Sequence, residues 1–231
     1  MKRVEELDWQ PTPIGEISLR RRLEPTLQVQ VYEVRLGEEF LMSSLFTVAE
    51  EELSRLGLAA VDADEIDVVV GGLGLGWTAR VALHDPRVRS LQVVEALEAV
   101  IGWHERDLLP HAAELTGDPR TRLVHGDFFA LTATGDLPRC HAVLLDVDHS
   151  PRNVLHPSHA DLYTEAGLRR LADRLHPGGV FALWSDDPPD AAFLADLQAV
   201  FASAEATVIT FPNHYTDQTS TNTVYVATLD G

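Results

Sequence analysis

The sequence predicts an α/β protein: a seven-stranded, mostly parallel sheet ending in an antiparallel hairpin, preceded by a small β lobe. Three observations carry this reading. From Ile66 onward, apolar runs of four to six residues alternate with helical patterns. The first of these runs ends in the glycine-rich stretch "VVVGGLGLG". The chain closes with two β-patterned segments, "ATVITF" and "TNTVYVATL", separated by a polar stretch with a proline and an asparagine. Short apolar strands joined by helices imply a parallel sheet covered on both faces.

The elements follow in order. Residues 1–60 form an amino-terminal lobe. The segments "EISLRRRLEP" and "LQVQVYEVRLGEEFLM" alternate around Val29, Val31 and Val34 as short antiparallel strands do. "TVAEEELSRLGLAA" then reads as a helix closing that lobe, with Thr47 as N-cap and Glu50 at the capping-box position. Residues 61–231 form the second domain. Its strands are expected at Ile66–Gly71, Leu91–Glu95, Thr121–Val124, Ala142–Asp146 and Val180–Trp184. Helices are expected at Gly74–Leu83, Leu97–Leu108, Asp127–Leu131, His159–Leu175 and Ala191–Phe201. Pro177, Gly178 and Gly179 read as a helix stop.

Composition narrows the function classes. The chain has 231 residues, 45% hydrophobic and 23% charged, which suits an ordinary globular protein. No apolar run approaches the roughly 18 residues of a membrane span, so no membrane partner is expected. "MKRVEELDWQ" lacks the apolar core of a signal peptide, which points to the cytoplasm. The single cysteine, Cys140, excludes an internal disulfide. A net charge of -18 repels polyanions, so nucleic acid is not an expected partner, and it favours cationic ligands.

Open α/β sheets bind ligands at the carboxyl ends of their strands, so chemistry is sought there. Gly72, Gly74 and Gly76 end the first strand and let a ligand approach the backbone. Gly74-x-Gly76-x-x-Ala79 fits a dinucleotide fingerprint, and Gly72-x-Gly74-x-Gly76 fits the looser turn that cradles S-adenosyl ligands. The seven-stranded sheet with its terminal hairpin favours the second. Glu95 ends the next strand, where a carboxylate accepts hydrogen bonds from ribose hydroxyls. In "HGDFF", Asp127 is placed to accept from an adenine amino group and Phe128 to lie against the adenine face. Asp127 also suits an N-cap. "LLDVDHSP" brings Asp146 and Asp148 together after the fourth strand, as a general base or a clamp on a cationic amine. His149, His156 and His159 follow, but their spacing matches no compact zinc motif, and no metal is expected.

These segments together resemble the spermidine synthase family of polyamine aminopropyltransferases. The resemblance covers most of the chain: "VVVGG", the acid in "VVEALEAVI", "HGDFF", the acidic segment "DVDHSP" and "DLYTEAGLRRLADRLHPGGV". It implies an S-adenosylmethionine-dependent methyltransferase-type Rossmann fold and a homodimer. It further implies decarboxylated S-adenosylmethionine as donor and a small-molecule amine as acceptor. Glu95 is then the ribose ligand, Asp127 the adenine ligand and Asp146 the acid beside the attacking amine. The family's glycine turn resembles GGGDGG, whereas here Gly71–Gly76 carries no acid; its gate motif is close to DSSDP, whereas here it is "DVDHSP". The missing acid keeps S-adenosylmethionine itself open as donor, and with it methyl transfer to a small molecule. A non-catalytic nucleoside-binding protein and an NAD-dependent oxidoreductase are the remaining alternatives.

Overall fold

The structure is a computed structural model that describes residues 4–216 and 218–231. Met1–Arg3 of the expected amino-terminal lobe and Asp217 in the last hairpin lie outside the described residues. Strands β1 (Val4–Thr12), β2 (Gly15–Glu24), β3 (Val29–Leu36) and β4 (Glu39–Ser43) make an antiparallel meander in that order. Ile17, Leu19 and Val34 from this sheet enter a core shared with the larger sheet.

The larger sheet holds β5 (Ile66–Gly71), β6 (Val88–Glu95), β7 (Thr121–His125), β8 (Cys140–Leu145), β9 (Leu175–Ser185), β10 (Ser203–Asn213) and β11 (Gln218–Thr228). Their order is β10-β11-β9-β8-β5-β6-β7. Strands β5 to β9 pair in parallel, and β11 runs antiparallel to both neighbours. The last strand thus lies inside the sheet and the one before it forms the edge. Burial explains the order. Asn222 to Ala227 of β11 are buried without interruption, as a strand covered on both faces requires. In β10, exposed residues recur along the strand, as an edge tolerates.

Strand alternation sorts the two faces. Val68, Val70, Ala142 and Leu144 point into the core under α1 (Val48–Ala59), α2 (Trp77–Leu83), α3 (Glu98–Glu105) and α4 (Ala112–Gly117). Val69, Val143 and Leu145 point into the core under α5 (Phe128–Thr134), α6 (Glu165–Ala172) and α7 (Ala191–Val200). Among the described residues no helix is long and apolar enough to cross a membrane.

Three local readings are corrected. Thr47 does not cap α1 through a backbone N–H; its hydroxyl donates to Glu51 Oε1 (3.0 Å). The helix expected over His159–Leu175 is broken into a 3₁₀ turn, Pro157–Asp161, and α6. Thr164 caps the second piece by accepting from Gly167 N (3.1 Å), and a hydroxyl cap there starts a new helix. Pro177, Gly178 and Gly179 lie in the opening residues of β9 rather than at a helix end. The helix α4 was not foreseen; it has only six residues.

Helix α1, grouped with the amino-terminal lobe on its sequence, packs on the large sheet at Gly57. A Cβ there would stand 2.6 Å from Leu144 Cδ2 and 2.9 Å from Ala182 Cβ. Helix propensity alone would make Gly57→Ala stabilising by about 1 kcal/mol. The contact makes overpacking the larger effect, roughly 1–3 kcal/mol. Chemical denaturation of Gly57→Ala is therefore expected to show a net loss of stability.

Candidate active site at the carboxyl edge of the sheet

The glycine turn between β5 and α2 is fixed from three sides. Asp146 N donates to Gly71 O (2.8 Å), and Gly72 N donates to Val94 O (2.9 Å). Gly72 has φ 92°, and a Cβ on it would lie 2.1 Å from the Asp146 carbonyl oxygen. Only glycine fits that approach. Gly76, at φ 90°, backs onto His104 and Leu115, each 2.8 Å from where a Cβ would sit. Gly74 faces Met42 Sδ of β4 at 3.0 Å on the same measure. Gly72 and Gly76 thus have a packing reason to be glycine, and at Gly74 the reason is its φ of 47°. His104, which the sequence did not single out, braces the turn. Its Nε2–H donates to Gly74 O (3.0 Å), and burial lowers its pKa, so the ring is the neutral donor form.

Glu95 ends β6 and is buried. Its Oε2 accepts from Leu73 N (2.9 Å) and its Oε1 from Leu97 N (2.8 Å). Burial raises its pKa, and the backbone N–H groups oppose that shift. The backbone N–H groups of Leu73, Gly74, Ala96 and Leu97 together hold the carboxylate at the turn. Asp127 is exposed at the start of α5. Its Oδ1 takes both cap bonds, from Phe129 N (2.9 Å) and Ala130 N (3.2 Å), which leaves Oδ2 for another donor. Phe128 is 3% exposed and lies in the core under Gly71, against which a Cβ would stand 2.9 Å from its ring. Its ring meets Phe129 edge-on, with centroids 5.7 Å apart.

The two aspartates after β8 part company. Asp146 follows Leu145 by strand alternation onto the α1/α2 face, where its Oδ2 accepts from Thr78 Oγ1 (2.8 Å). Burial pushes its pKa up to about 6. Glu50, in the first turn of α1, shares this environment. Burial, then the Asp146 charge, then Glu51 hold its carboxyl well above the usual range. Its neighbours Glu51 and Glu52 are both tied to Arg55, at 2.6 Å each. Thr78 Oγ1 also lies 3.4 Å from the Glu50 carbonyl, so one hydroxyl ties α1, α2 and β8. Asp148 is 1% exposed and anchors the following loop. It accepts from Leu155 N (2.7 Å), Tyr163 OH (2.8 Å) and His159 Nδ1 (2.8 Å). His159 in turn stacks on Phe129, with centroids 3.7 Å apart. The structure thus brings together Asp146, Gly72 and Glu50, and sets Asp148 apart as a loop anchor. His149 lies 3.7 Å from Glu39, and His156 accepts from Ser158 N (3.3 Å) as a turn cap.

Trp184 completes the acid face. It stands one residue beyond Leu183, the partner of Leu145, and its buried indole N–H has no partner among the described residues.

No family model matches this sequence. Solved structures do resemble it. A spermidine synthase from Thermotoga maritima superimposes with a TM-score of 0.74 at 17% identity, over 96% of this chain and 72% of that one. The fold is spermidine synthase-like. A spermidine synthase in complex with the transition state analogue AdoDATO gives 0.75 at 17% identity, over 96% of this chain and 73% of that one. Human methyltransferase-like protein 13, in complex with SAH, gives 0.57 at 20% identity, over 78% and 82%. The α/β methyltransferase-like fold is thus shared with both groups, and the match to the spermidine synthases extends over more of this chain.

The raised pKa of Asp146 has a stability consequence with a definite sign. Below the unfolded value of 3.8, both states hold the proton and burial of the charge costs nothing. As pH rises toward about 6, the unfolded chain ionises first and the folded state is penalised; above that the penalty is constant. Asp146→Asn is therefore expected to melt a few degrees higher than the wild-type protein at about pH 8. The gap narrows toward about pH 4.5.

Proposed function

We propose that this protein is a transferase that binds an S-adenosyl donor at the carboxyl edge of its sheet and passes an aminopropyl group to a small-molecule amine. The observation that carries the proposal is the Asp146–Glu50 pair, two carboxyl groups with raised pKa beside a glycine turn. Such a pair attracts an ammonium and accepts its proton. The neighbours crystallised with AdoDATO and with SAH support the S-adenosyl class of donor.

The donor fits the groups present. In this reading Glu95 faces the ribose hydroxyls, and Asp127 Oδ2, which its cap bonds leave open, accepts from the adenine amino group. Decarboxylated S-adenosylmethionine presents the aminopropyl arm. The acceptor enters as an ammonium, because alkyl amines titrate near 10. Burial and then the Asp146 charge hold the Glu50 carboxyl well above its usual range, so the two acids resist being ionised together and an ammonium is the counter-charge that relieves them. Asp146 takes a proton from the ammonium. The freed lone pair forms the N–C bond at the carbon beside the sulfonium. The C–S bond breaks with its electrons going to sulfur, leaving a neutral thioether. Asp146 then returns its proton to water. Lifting Asp146 toward neutral pH brings its proton affinity closer to that of the amine. Alignment of the two substrates supplies most of the remaining acceleration.

One observation favours a second reading, methyl transfer from S-adenosylmethionine. Gly71–Gly76 contains no acid, so nothing in the turn repels a donor carboxylate.

Mass spectrometry with each donor and a panel of diamines and monoamines separates the readings by the mass added to the acceptor. Asp146→Asn is expected to slow turnover by roughly 10²–10⁴-fold while donor binding persists. Asp127→Asn is expected to weaken the donor by about tenfold at unchanged kcat, as loss of a charged acceptor does. If no S-adenosyl compound raises the melting temperature, the proposal fails.

A further inference from the structure

We infer that Asp67, His141 and His176 form a binding site for one divalent first-row transition ion, such as zinc, at the amino edge of the large sheet. This edge is opposite the acid pair, and the inference does not rest on the proposed transferase activity. The three residues come from β5, β8 and β9, which are consecutive in the sheet. One ligating atom from each lies within 4.8 Å of the others, and all three residues are half-buried. The His141 and His176 rings are 4.5 Å apart between centroids, and His141 Nδ1 is 3.8 Å from Asp67 Oδ2. Among the described residues this is the one such three-residue group.

A bulge creates the arrangement. Cys140 pairs with Leu175, and Ala142 pairs with Val180. His141 alone therefore faces the four residues His176–Gly179. Gly178 has φ 69° and donates to Asp230 O (2.7 Å), and a Cβ on Gly179 would meet the His176 carbonyl at 2.7 Å. The Pro-Gly-Gly stretch thus carries His176 back toward His141. Bulges that re-aim a side chain in this way recur at functional sites.

The donor set selects the ion class. Two imidazoles and one carboxylate suit zinc, cobalt or nickel, and three protein ligands leave a position for water. Calcium and magnesium prefer all-oxygen sites. Two existing interactions must yield. Arg89 and Ser90 bond Asp67, and Arg89 Nη1 also lies 3.7 Å from Glu65, an alternative partner for this exposed guanidinium. Asp67 N donates to His141 Nδ1 (3.1 Å), a bond at a half-buried edge where water replaces it.

Zinc titration of the chelator-treated full chain tests the site, read by calorimetry and by melting temperature. One saturable ion per chain and a higher melting temperature are expected. His176→Ala should weaken that site by more than about tenfold, with an unchanged melting temperature in chelator. His111→Ala, beside Trp77, should leave it intact. Cobalt added to the wild-type protein should give visible bands of four-coordinate strength, a readout independent of any variant. Absence of saturable zinc, full affinity in His176→Ala, or a cobalt spectrum of the hydrated ion would overturn the inference.

Discussion

The contact on which the candidate site depends is the approach of the β5 turn to the end of β8. Gly71 O receives the Asp146 N–H, and Gly72 lies so close to the Asp146 carbonyl that a methyl group there would overlap it. This contact fixes where β8 ends relative to the turn. Strand alternation then decides what Asp146 does. Leu144 faces the α1/α2 core and Leu145 the opposite core, so Asp146 turns toward Thr78 and Glu50. A shift of one residue would reverse that assignment.

The site is built from acids that burial makes reluctant to ionise. Asp146, Glu50 and Glu95 all have raised pKa values, with burial as the leading cause in each. Glu95 is compensated by backbone N–H groups and serves the turn as a brace. Asp146 has one hydroxyl partner, and Glu50 is held up by its neighbour's charge. Buried carboxyl groups so weakly compensated are costly to fold, and such groups concentrate at functional sites. Asp148 shows the contrast. It is more deeply buried than Asp146 or Glu50, yet it is fully partnered by Leu155, His159 and Tyr163, and it holds a loop.

The sheet was legible because its signals are local. The strand expected at Ile66–Gly71 has those bounds in the structure, and Asp127 is the N-cap its position suggests. Glu95 was placed from its strand end and its distance from the glycines. Glu50 escaped because a local rule, the capping box, offered a sufficient use for it. Its true surroundings depend on Asp146, 96 positions further along the chain. A trace remained in the sequence: of three successive acids, Arg55 can pair with only the two that stand three and four residues before it. The placement of Phe128 was hidden for a different reason. Side-chain direction at a helix start follows from packing, and its ring fills the space beneath Gly71. The metal-type cluster was invisible because a bulge assembles it from three strands.

A crystal structure with 5′-methylthioadenosine tests the central claim most directly. The ribose oxygens should lie within hydrogen-bonding distance of Glu95 and the adenine amino group beside Asp127. The sulfur should stand over the glycine turn, on the side of Asp146 and Glu50. Nucleoside density elsewhere, for example in the groove of about 510 Å³ lined by Arg55, Arg80 and Arg87, would contradict the account.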